Sequence, residues 1–223
     1  MLDVKALVFD LEGTLYNSKE LANEWRTQVF KLIKEKTGKR EEEILKEFLK
    51  IVEEMKRQGF RRPPASDIVD RMGISREDFY RAIDSVDASK FLKPDRELRK
   101  TLDYMKEKWK LAMLTNLSRK STLNILKALG LNSNLFEPLI SASEMAKGKP
   151  DPEPFIRISQ ALDLNPSSIM MVGDSVSSDL APAKKLGMKT ALVSEKKIST
   201  PLADLEVGSI TELREKLEKM NSK

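Results

Sequence analysis

The stretch LVFDLEGTL, residues 7–15, decides the fold of this chain, because an apolar run ends there abruptly in a carboxylate, Asp10. A second carboxylate, Glu12, follows two positions later, and then come a glycine and a hydroxyl residue. A distant stretch, IMMVGDS at residues 169–175, has the same form and places Asp174 after its apolar run. Short apolar runs of this kind indicate strands that are buried on both faces of a sheet. Because ligands of open α/β sheets bind beyond the carboxyl ends of the strands, the sequence predicts an acidic site built from Asp10 and Asp174.

Apolar runs and amphipathic stretches alternate along much of the chain. The amphipathic stretches repeat their apolar residues at helical spacing, and strands that alternate with helices indicate a parallel sheet covered on both faces. The sequence therefore predicts an α/β domain in which Thr115 directly follows another strand. Predicted strands lie at 6–9, 111–114, 139–140, 169–172 and 191–193, and predicted helices lie at 94–108, 120–129, 152–162 and 178–186 and from residue 209 onward.

The segment 17–86 interrupts this alternation, because it contains no strand-like run. Two long stretches carry stripes of apolar residues at helical spacing, and two shorter helices are predicted near 66–72 and 75–85. A loop containing Gly and Pro at 59–64 separates the long helices from the short ones. We therefore predict two units, an α/β core at 1–16 and 87–223 and an all-helical insertion at 17–86.

The composition excludes several kinds of catalytic and metal site. The 223 residues include no Cys and no His, which rules out thiolate nucleophiles, disulfides, Ser-His-Asp triads and His-ligated zinc. The chemistry must then rely on Asp, Glu, Lys, Ser, Thr and Tyr, together with a bound metal. Oxygen-rich side chains of this kind suit a hard cation such as Mg²⁺.

Charge and hydropathy indicate the surroundings in which the chain works. The net charge of +5 is spread over a sequence rich in both Lys and Glu, so we expect no nucleic-acid partner. No apolar run approaches the ~18 residues needed to span a membrane, so we expect no membrane partner and a cytoplasmic protein. The high Lys and Glu content without Cys favours a thermophilic source. The sequence does not indicate an oligomeric state.

Four short motifs, in order along the chain, resemble those of the haloacid dehalogenase-like (HAD) superfamily. DLEGTL at 10–15 resembles the first motif, LTN at 114–116 the second, KPDP at 149–152 the third and GDSVSSD at 173–179 the fourth. The resemblance covers nearly the whole chain, including a helical cap inserted between the first two motifs, as in the phosphoglycolate phosphatase-like and haloacid dehalogenase-like group. It implies a Rossmann-like parallel sheet core and a Mg²⁺-dependent hydrolase of small phosphorylated metabolites.

The resemblance also implies roles for the acidic residues. Asp10 would be the nucleophile that forms an aspartyl-phosphate, which divides one difficult displacement into two easier ones. Mg²⁺ would be held by Asp10, the backbone carbonyl of Glu12 and Asp174. Asp179 would hold a metal-bound water or a neighbouring ligand. The competing interpretation of Asp179 is an acidic residue that stabilises the N-terminus of the following helix.

The phosphoryl oxygens would be bound by residues of the second and third motifs. By resemblance these are Thr115, the backbone N–H of Asn116 and Lys149, which offer the donors and the cation that a transferring phosphoryl group requires. Lys147 is a competitor only two residues away. Lys149 is favoured because it directly precedes Pro150, as in the family pattern.

Glu12 departs from the family pattern, which usually has Asp at this position. The residue there protonates the leaving alcohol and then activates water, so Glu12 would be the general acid and base on an arm longer by one methylene. Its backbone carbonyl, the group that would bind the metal, is unchanged. The departure therefore affects the acid–base step and spares the metal site.

The helical cap is expected to select the substrate. Arg61 and Arg62 lie in its Pro-containing loop, and Arg suits bidentate binding of a carboxylate or phosphate. A solvated basic loop is the competing interpretation of these two residues.

Three alternatives to a phosphatase stay open at this point. A phosphomutase would use the same residues with different control of water. A 2-haloacid dehalogenase lacks the acidic residue at position 12 and uses no metal, so Glu12 and Asp174 argue against it. A weakly catalytic phosphate-binding or interaction module would result if Glu12 is badly placed for the acid–base step.

Overall fold

A parallel sheet lies at the centre of the computed structural model, which describes residues 3–60, 63–196 and 199–221. Its order is β3-β2-β1-β4-β5-β6, which confirms the predicted α/β fold and all of the predicted strands. The strands are β1 (Ala6–Phe9), β2 (Lys110–Thr115), β3 (Leu139–Ser141), β4 (Ile169–Gly173), β5 (Lys189–Val193) and β6 (Leu205–Val207).

The edge strand β6 is missing from the sequence prediction. It has three residues, it pairs with β5, and Glu206 at its centre is exposed. A strand this short carries too few residues for an alternating pattern to emerge from the sequence.

Helices cover both faces of the sheet and form the insertion after β1. In the described residues they are α1 (Lys19–Thr37), α2 (Glu41–Arg57), α3 (Ala65–Arg71), α4 (Arg76–Asp84), α5 (Arg96–Lys106), α6 (Arg119–Ala128), α7 (Pro152–Leu162), α8 (Ala181–Lys185) and α9 (Ile210–Asn221).

The helix predicted at 178–186 begins differently from the prediction. A π-helix at Val176–Leu180 precedes α8, and the N–H of Ala181 donates to the carbonyl of Val176. In an α-helix each N–H donates to the carbonyl four residues earlier, but Pro182 has no N–H. The π-helix therefore does not give up an α-helical hydrogen bond at Pro182. The prediction of an ordinary helix start was therefore wrong, since a 3.6-residue pattern does not show a local π-turn.

The side chains of β1 show how the sheet is buried on both faces. Leu7 and Phe9 belong to one apolar cluster, which includes residues of α5, α6 and α9. Ala6 and Val8 belong to a second cluster on the opposite face, which includes residues of α7 and α8. Because successive strand side chains point to opposite faces, an uninterrupted apolar run is what a covered strand requires.

The helical insertion packs against the core through its own apolar stripes. Leu21 and Trp25 of α1 belong to the same apolar cluster as Leu7 of the sheet. At α4, Arg76 donates to the backbone carbonyls of Ala142 and Ala146, 3.2 and 2.6 Å away. The exact bounds of the insertion, residues 17–86, stay a prediction. Among the helices of the described ranges, none combines the length and the apolarity that crossing a membrane requires.

Candidate active site

The carboxyl ends of three neighbouring strands bring the predicted motif residues together. Phe9 at the end of β1 is in register with Met113 of β2 and Val172 of β4. The N–H of Asp10 continues the sheet by donating to the carbonyl of Val172 over 2.9 Å. Asp10 therefore leaves the sheet between the second and fourth motifs, at the edge where open α/β sheets bind ligands.

A buried lysine joins two carboxylates at this edge. Lys149 Nζ lies 2.7 Å from Asp10 Oδ1 and 2.6 Å from Asp179 Oδ1. All three residues are buried, and Lys149 is only 2% exposed. Lys147, the competing candidate, is a surface residue that lies 3.7 Å from Asp151. The structure thus places Lys149 in the site and leaves Lys147 outside it.

Burial and charge have opposing effects on this cluster. Burial raises the pKa of Asp10 to about 7, Asp179 adds to the rise, and Lys149 opposes it. Burial alone would lower the pKa of Lys149, but Asp10 and Asp179 more than offset this and hold it above its ordinary value. The lysine therefore stays protonated, and the ionised form of Asp10 depends on its contact with that ammonium group.

Three carboxylates are close enough to share a metal ion. Asp10, Asp174 and Asp179 can each offer an oxygen, and these oxygens lie within 4.8 Å of one another. Carboxylate oxygens are the ligands that hard divalent cations prefer, and the ammonium group of Lys149 alone does not balance three negative charges. The donor set therefore fits a metal ion such as Mg²⁺.

Gly13 is required by the closeness of Asp174. Its φ is +83°, and a Cβ at this position would lie 2.6 Å from Asp174 Cγ. An L-residue would be strained by this backbone and would displace the carboxylate. The glycine four residues after the end of β1 therefore admits the side chain that the fourth motif supplies.

Glu12 forms a short β-bridge and lies beside Asp174, one of the three carboxylates that could hold a metal ion. It pairs with Tyr16, and the N–H of Gly13 donates to the carbonyl of Tyr16 over 2.7 Å. Glu12 is exposed to solvent, although protein atoms lie close around part of its carboxyl group. This partial enclosure, together with Asp174, raises the pKa of Glu12. A raised pKa favours the protonated form that a general acid needs.

The second motif supplies a buried hydroxyl and an amide. Thr115 is 3% exposed, and its Oγ1 accepts a hydrogen bond from the N–H of Leu117 over 3.2 Å. Its own hydroxyl hydrogen is then available for an anion. The side chain of Asn116 bonds to the backbone of Lys149 at both its N–H and its carbonyl. This contact was not anticipated from the sequence, which assigned only the backbone N–H of Asn116.

Tyr16 is a further site residue that sequence reasoning missed. Its hydroxyl is buried, and no partner for it is found within the described residues. Burial, with Glu12 and Asp10 nearby, holds the pKa of Tyr16 well above its ordinary value. The hydroxyl therefore stays protonated near the two carboxylates. Arg61 and Arg62, the predicted substrate-binding residues of the cap, lie outside the described residues.

Comparisons with known proteins identify the family of the chain. A family model described as haloacid dehalogenase-like hydrolase matches residues 4–187. The glyceraldehyde 3-phosphate phosphatase of Methanopyrus kandleri is 29% identical over 199 residues, which cover 85% of this chain and 84% of the relative. Pyrophosphatase PpaX of Halalkalibacterium halodurans is 26% identical over 205 residues, covering 86% and 84% of the two chains.

A solved structure shows the same architecture over almost the full length. The crystal structure of a HAD phosphatase from Thermococcus onnurineus superposes with a TM-score of 0.70 at 25% identity, and covers 96% of this chain and 98% of that chain. The matched family residues span all four motifs, the insertion and the buried Asp10–Lys149–Asp179 cluster. The chain therefore belongs to the haloacid dehalogenase-like hydrolases.

Proposed function

We propose that this chain is a Mg²⁺-dependent phosphatase that hydrolyses phosphate monoesters of small metabolites through an aspartyl-phosphate on Asp10. The observation that carries the proposal is the buried cluster of Asp10, Lys149 and Asp179, with Asp174 within metal-binding distance. The similarity to a glyceraldehyde 3-phosphate phosphatase and to a pyrophosphatase supports a small phosphorylated substrate.

In the first half of the reaction, an Asp10 carboxylate oxygen attacks phosphorus and the bond to the leaving oxygen breaks. Glu12 donates its proton to that oxygen, which departs as an alcohol. The ammonium of Lys149 has three N–H donors, and two of them face Asp10 and Asp179. The third donor, the hydroxyl of Thr115 and the backbone N–H of Asn116 bind the phosphoryl oxygens.

In the second half, Glu12 acts as the base. Its carboxylate takes a proton from water as the water oxygen attacks the aspartyl-phosphate. Asp10 is released as a carboxylate, inorganic phosphate leaves, and Glu12 is protonated again for the next cycle. One residue can serve in both directions because a carboxyl group gives up its proton in the first half and takes one back in the second, and the raised pKa of Glu12 favours the protonated form with which the cycle begins.

Mg²⁺ would be held by Asp10, the backbone carbonyl of Glu12 and Asp174, and Asp179 would hold a neighbouring group in place. When bound there, the cation would neutralise charge on the phosphoryl oxygens and relieve the repulsion between the carboxylates. The fit rests on the oxygen donors of three acidic residues that lie within 4.8 Å of one another.

The function is tested by assaying the natural chain with an aryl phosphate and with a panel of small phosphorylated metabolites. We expect turnover with Mg²⁺, its loss on addition of a chelator, and its return when excess Mg²⁺ is restored. A chain that hydrolyses neither aryl nor alkyl phosphates under these conditions contradicts the proposal. Release of halide from 2-chloropropionate without metal would indicate a dehalogenase instead.

Replacing Glu12 separates the acid–base step from binding. Glu12→Gln is expected to reduce turnover of alkyl phosphates by about 10²–10⁴-fold, because a poor leaving group needs the proton. With an aryl phosphate, the rate of phosphoenzyme formation should fall less than it does with an alkyl phosphate, because a phenolate leaves without being protonated. Burst kinetics with the aryl substrate will show whether phosphoenzyme formation survives while its hydrolysis slows.

Glu12→Asp is the matched variant, because it changes only the length of the arm. A rise in alkyl phosphate turnover would show that the longer side chain of Glu12 is placed suboptimally. A natural chain that binds inorganic phosphate, turns over slowly and is improved by this change would agree with the weakly catalytic alternative. Unchanged alkyl turnover in Glu12→Gln would remove Glu12 from the mechanism.

A further inference from the structure

We propose that the side chain of Asn116 is a positioning residue, which holds the loop bearing Lys149 so that the ammonium group meets Asp10 and the phosphoryl oxygens. The inference rests on the proposed phosphatase function. It adds a role that the sequence did not indicate, because the motif assigned only the backbone N–H of Asn116 to substrate binding.

The contact between Asn116 and Lys149 is reciprocal. Asn116 Nδ2 donates to the backbone carbonyl of Lys149 over 2.8 Å, and Asn116 Oδ1 accepts from the backbone N–H of Lys149 over 2.7 Å. One amide therefore bonds to both polar backbone groups of a single residue. A rotation of the amide that exchanged its oxygen and nitrogen would oppose both bonds, so the pair fixes the side chain and the loop together.

Gly148 shows that the local backbone accommodates this amide. A Cβ at position 148 would lie 2.5 Å from Asn116 Oδ1 and 3.2 Å from Asn116 Cγ. The backbone angle of Gly148 is not in the left-handed region, so an L-residue could adopt it. The need for glycine at this position therefore comes mainly from the side chain of Asn116.

The position of Lys149 in the fold explains why it needs such support. Lys149 lies in a turn outside the strands and helices, yet its Nζ is held within 2.7 Å of Asp10 and within 2.6 Å of Asp179. Asn116 directly follows the end of β2, so it joins this turn to the rigid sheet. A displacement of about 1 Å in a reacting group can cost about 10²-fold in rate, which is the loss that such support prevents.

The test is a double-mutant cycle between Asn116 and Gly148. Asn116→Ala removes the amide, and Gly148→Ala displaces it from the other side while leaving its chemistry intact. Each single variant is expected to reduce kcat/KM by about 10²-fold. In the Asn116→Ala background, Gly148→Ala should cause little further loss, because the severe overlap with Asn116 Oδ1 is gone and only the milder contact with Ala142 Cβ, 3.3 Å away, is left.

Further measurements distinguish positioning from a general loss of stability. Asn116→Asp keeps the acceptor oxygen but replaces the donor with a second oxygen that is repelled by the Lys149 carbonyl, so we expect a loss in kcat/KM at least as large as for Asn116→Ala. Inhibition by inorganic phosphate should weaken along with kcat/KM, because both depend on the placement of the ammonium group. Lys147→Ala, on the same loop but on the surface, is the control and should leave both quantities unchanged.

Two results would overturn the inference. One is wild-type kcat/KM in Asn116→Ala, and the other is an equal loss from Gly148→Ala in both backgrounds. If Asn116→Ala does not fold, Asn116→Asp and Gly148→Ala still decide the matter, because full activity and phosphate affinity in both would contradict it. Failure of the proposed function is distinct, since it would appear as an inactive natural chain.

Discussion

Asp10→Asn is expected to reduce Mg²⁺-dependent phosphatase activity by about 10⁴-fold or more while leaving the protein folded. Removing a nucleophile that forms a covalent intermediate typically causes losses of this size, because the other catalytic residues depend on that nucleophile and accelerate the reaction little without it. The amide keeps the shape of the carboxyl but cannot attack phosphorus. Turnover of an aryl phosphate under saturating Mg²⁺ measures the loss.

Thermal unfolding separates this loss from a loss of structure. Burial raises the pKa of Asp10 to about 7, so the folded state binds this proton more tightly than the unfolded state does. The stability that this group contributes is therefore present at low pH and decreases as the pH rises through about 7. An amide at position 10 does not ionise, so the variant lacks this loss of stability at high pH. Lys149 also keeps its ion pair with Asp179 in the variant. We expect the Tm of Asp10→Asn at pH 8 to be within a few degrees of the natural protein, or above it.

Asp163→Asn is the matched control for this experiment. Asp163 follows α7 with a φ of 53°, a conformation that Asn adopts as readily as Asp. The carbonyl of the preceding Leu162 accepts from Lys110 at the start of β2, which is the end of the strand opposite the site. Asp163→Asn should keep full activity. Mass spectrometry of acid-quenched natural enzyme should find a phosphoryl group on the peptide that contains Asp10. Substantial activity in Asp10→Asn, or a phosphoryl group on another peptide, would place the nucleophile elsewhere.

The sequence was sufficient to locate the acidic side chains because their positions follow from the strands. Asp10 and Asp174 each end an apolar run, and parallel strands bring their carboxyl ends to one edge. Lys149 could also be preferred over Lys147, since its neighbour Pro150 matched a motif. These assignments needed only local patterns together with the general geometry of an α/β sheet.

Other features depend on contacts between distant segments, and no local pattern encodes them. The amide of Asn116 meets the backbone of Lys149 across 33 positions of sequence. The π-turn before α8 depends on a hydrogen-bond choice that a periodicity of 3.6 residues does not resolve. The hydroxyl of Tyr16, which has no partner among the residues that the structure describes, became evident only when the surrounding packing was known. Such features arise from tertiary structure, which overrides local preference.

In the helical cap, the helices could be predicted from the sequence, but their contacts with the core could not. Its apolar stripes predicted helices, and the structure has α1 and α2 where the stripes lie. Its attachment was not foreseen, because it depends on Arg76 reaching two core carbonyls and on Asp84 accepting from the hydroxyl of Ser121 over 2.6 Å. The assignment of Arg61 and Arg62 to the substrate stays a prediction.

Lys149→Met is expected to abolish phosphatase activity and also to destabilise the fold at pH 8. Methionine has a similar apolar stem but no charge, so Asp10 and Asp179 would face each other in a buried space without the cation between them. Removing one partner from a buried ion pair typically costs about 3–5 kcal/mol, because an uncompensated charge is left behind. Urea unfolding in the presence of a chelator measures this difference without a contribution from bound metal.

The destabilisation should depend on pH in a definite direction. Lys149 lowers the pKa of Asp10 in the natural protein, so its removal should let that pKa rise above about 7. A carboxyl with a raised pKa in the folded state contributes stability that is lost as the pH rises through that pKa. The deficit of Lys149→Met should therefore be smaller at pH 5, where Asp10 can be protonated, than at pH 8. Lys147→Met applies the same change on the surface and should unfold like the natural protein.

Neutralising one of the two remaining carboxylates tests whether charge is the cause of the deficit. Adding Asp179→Asn to Lys149→Met should recover part of the lost stability at pH 8, although activity should stay absent. Recovery would show that the lysine is needed because the nucleophile site contains more buried negative charge than the fold tolerates. An equal deficit at pH 5 and pH 8, with no recovery in the double variant, would instead assign the loss to packing of the lysine stem.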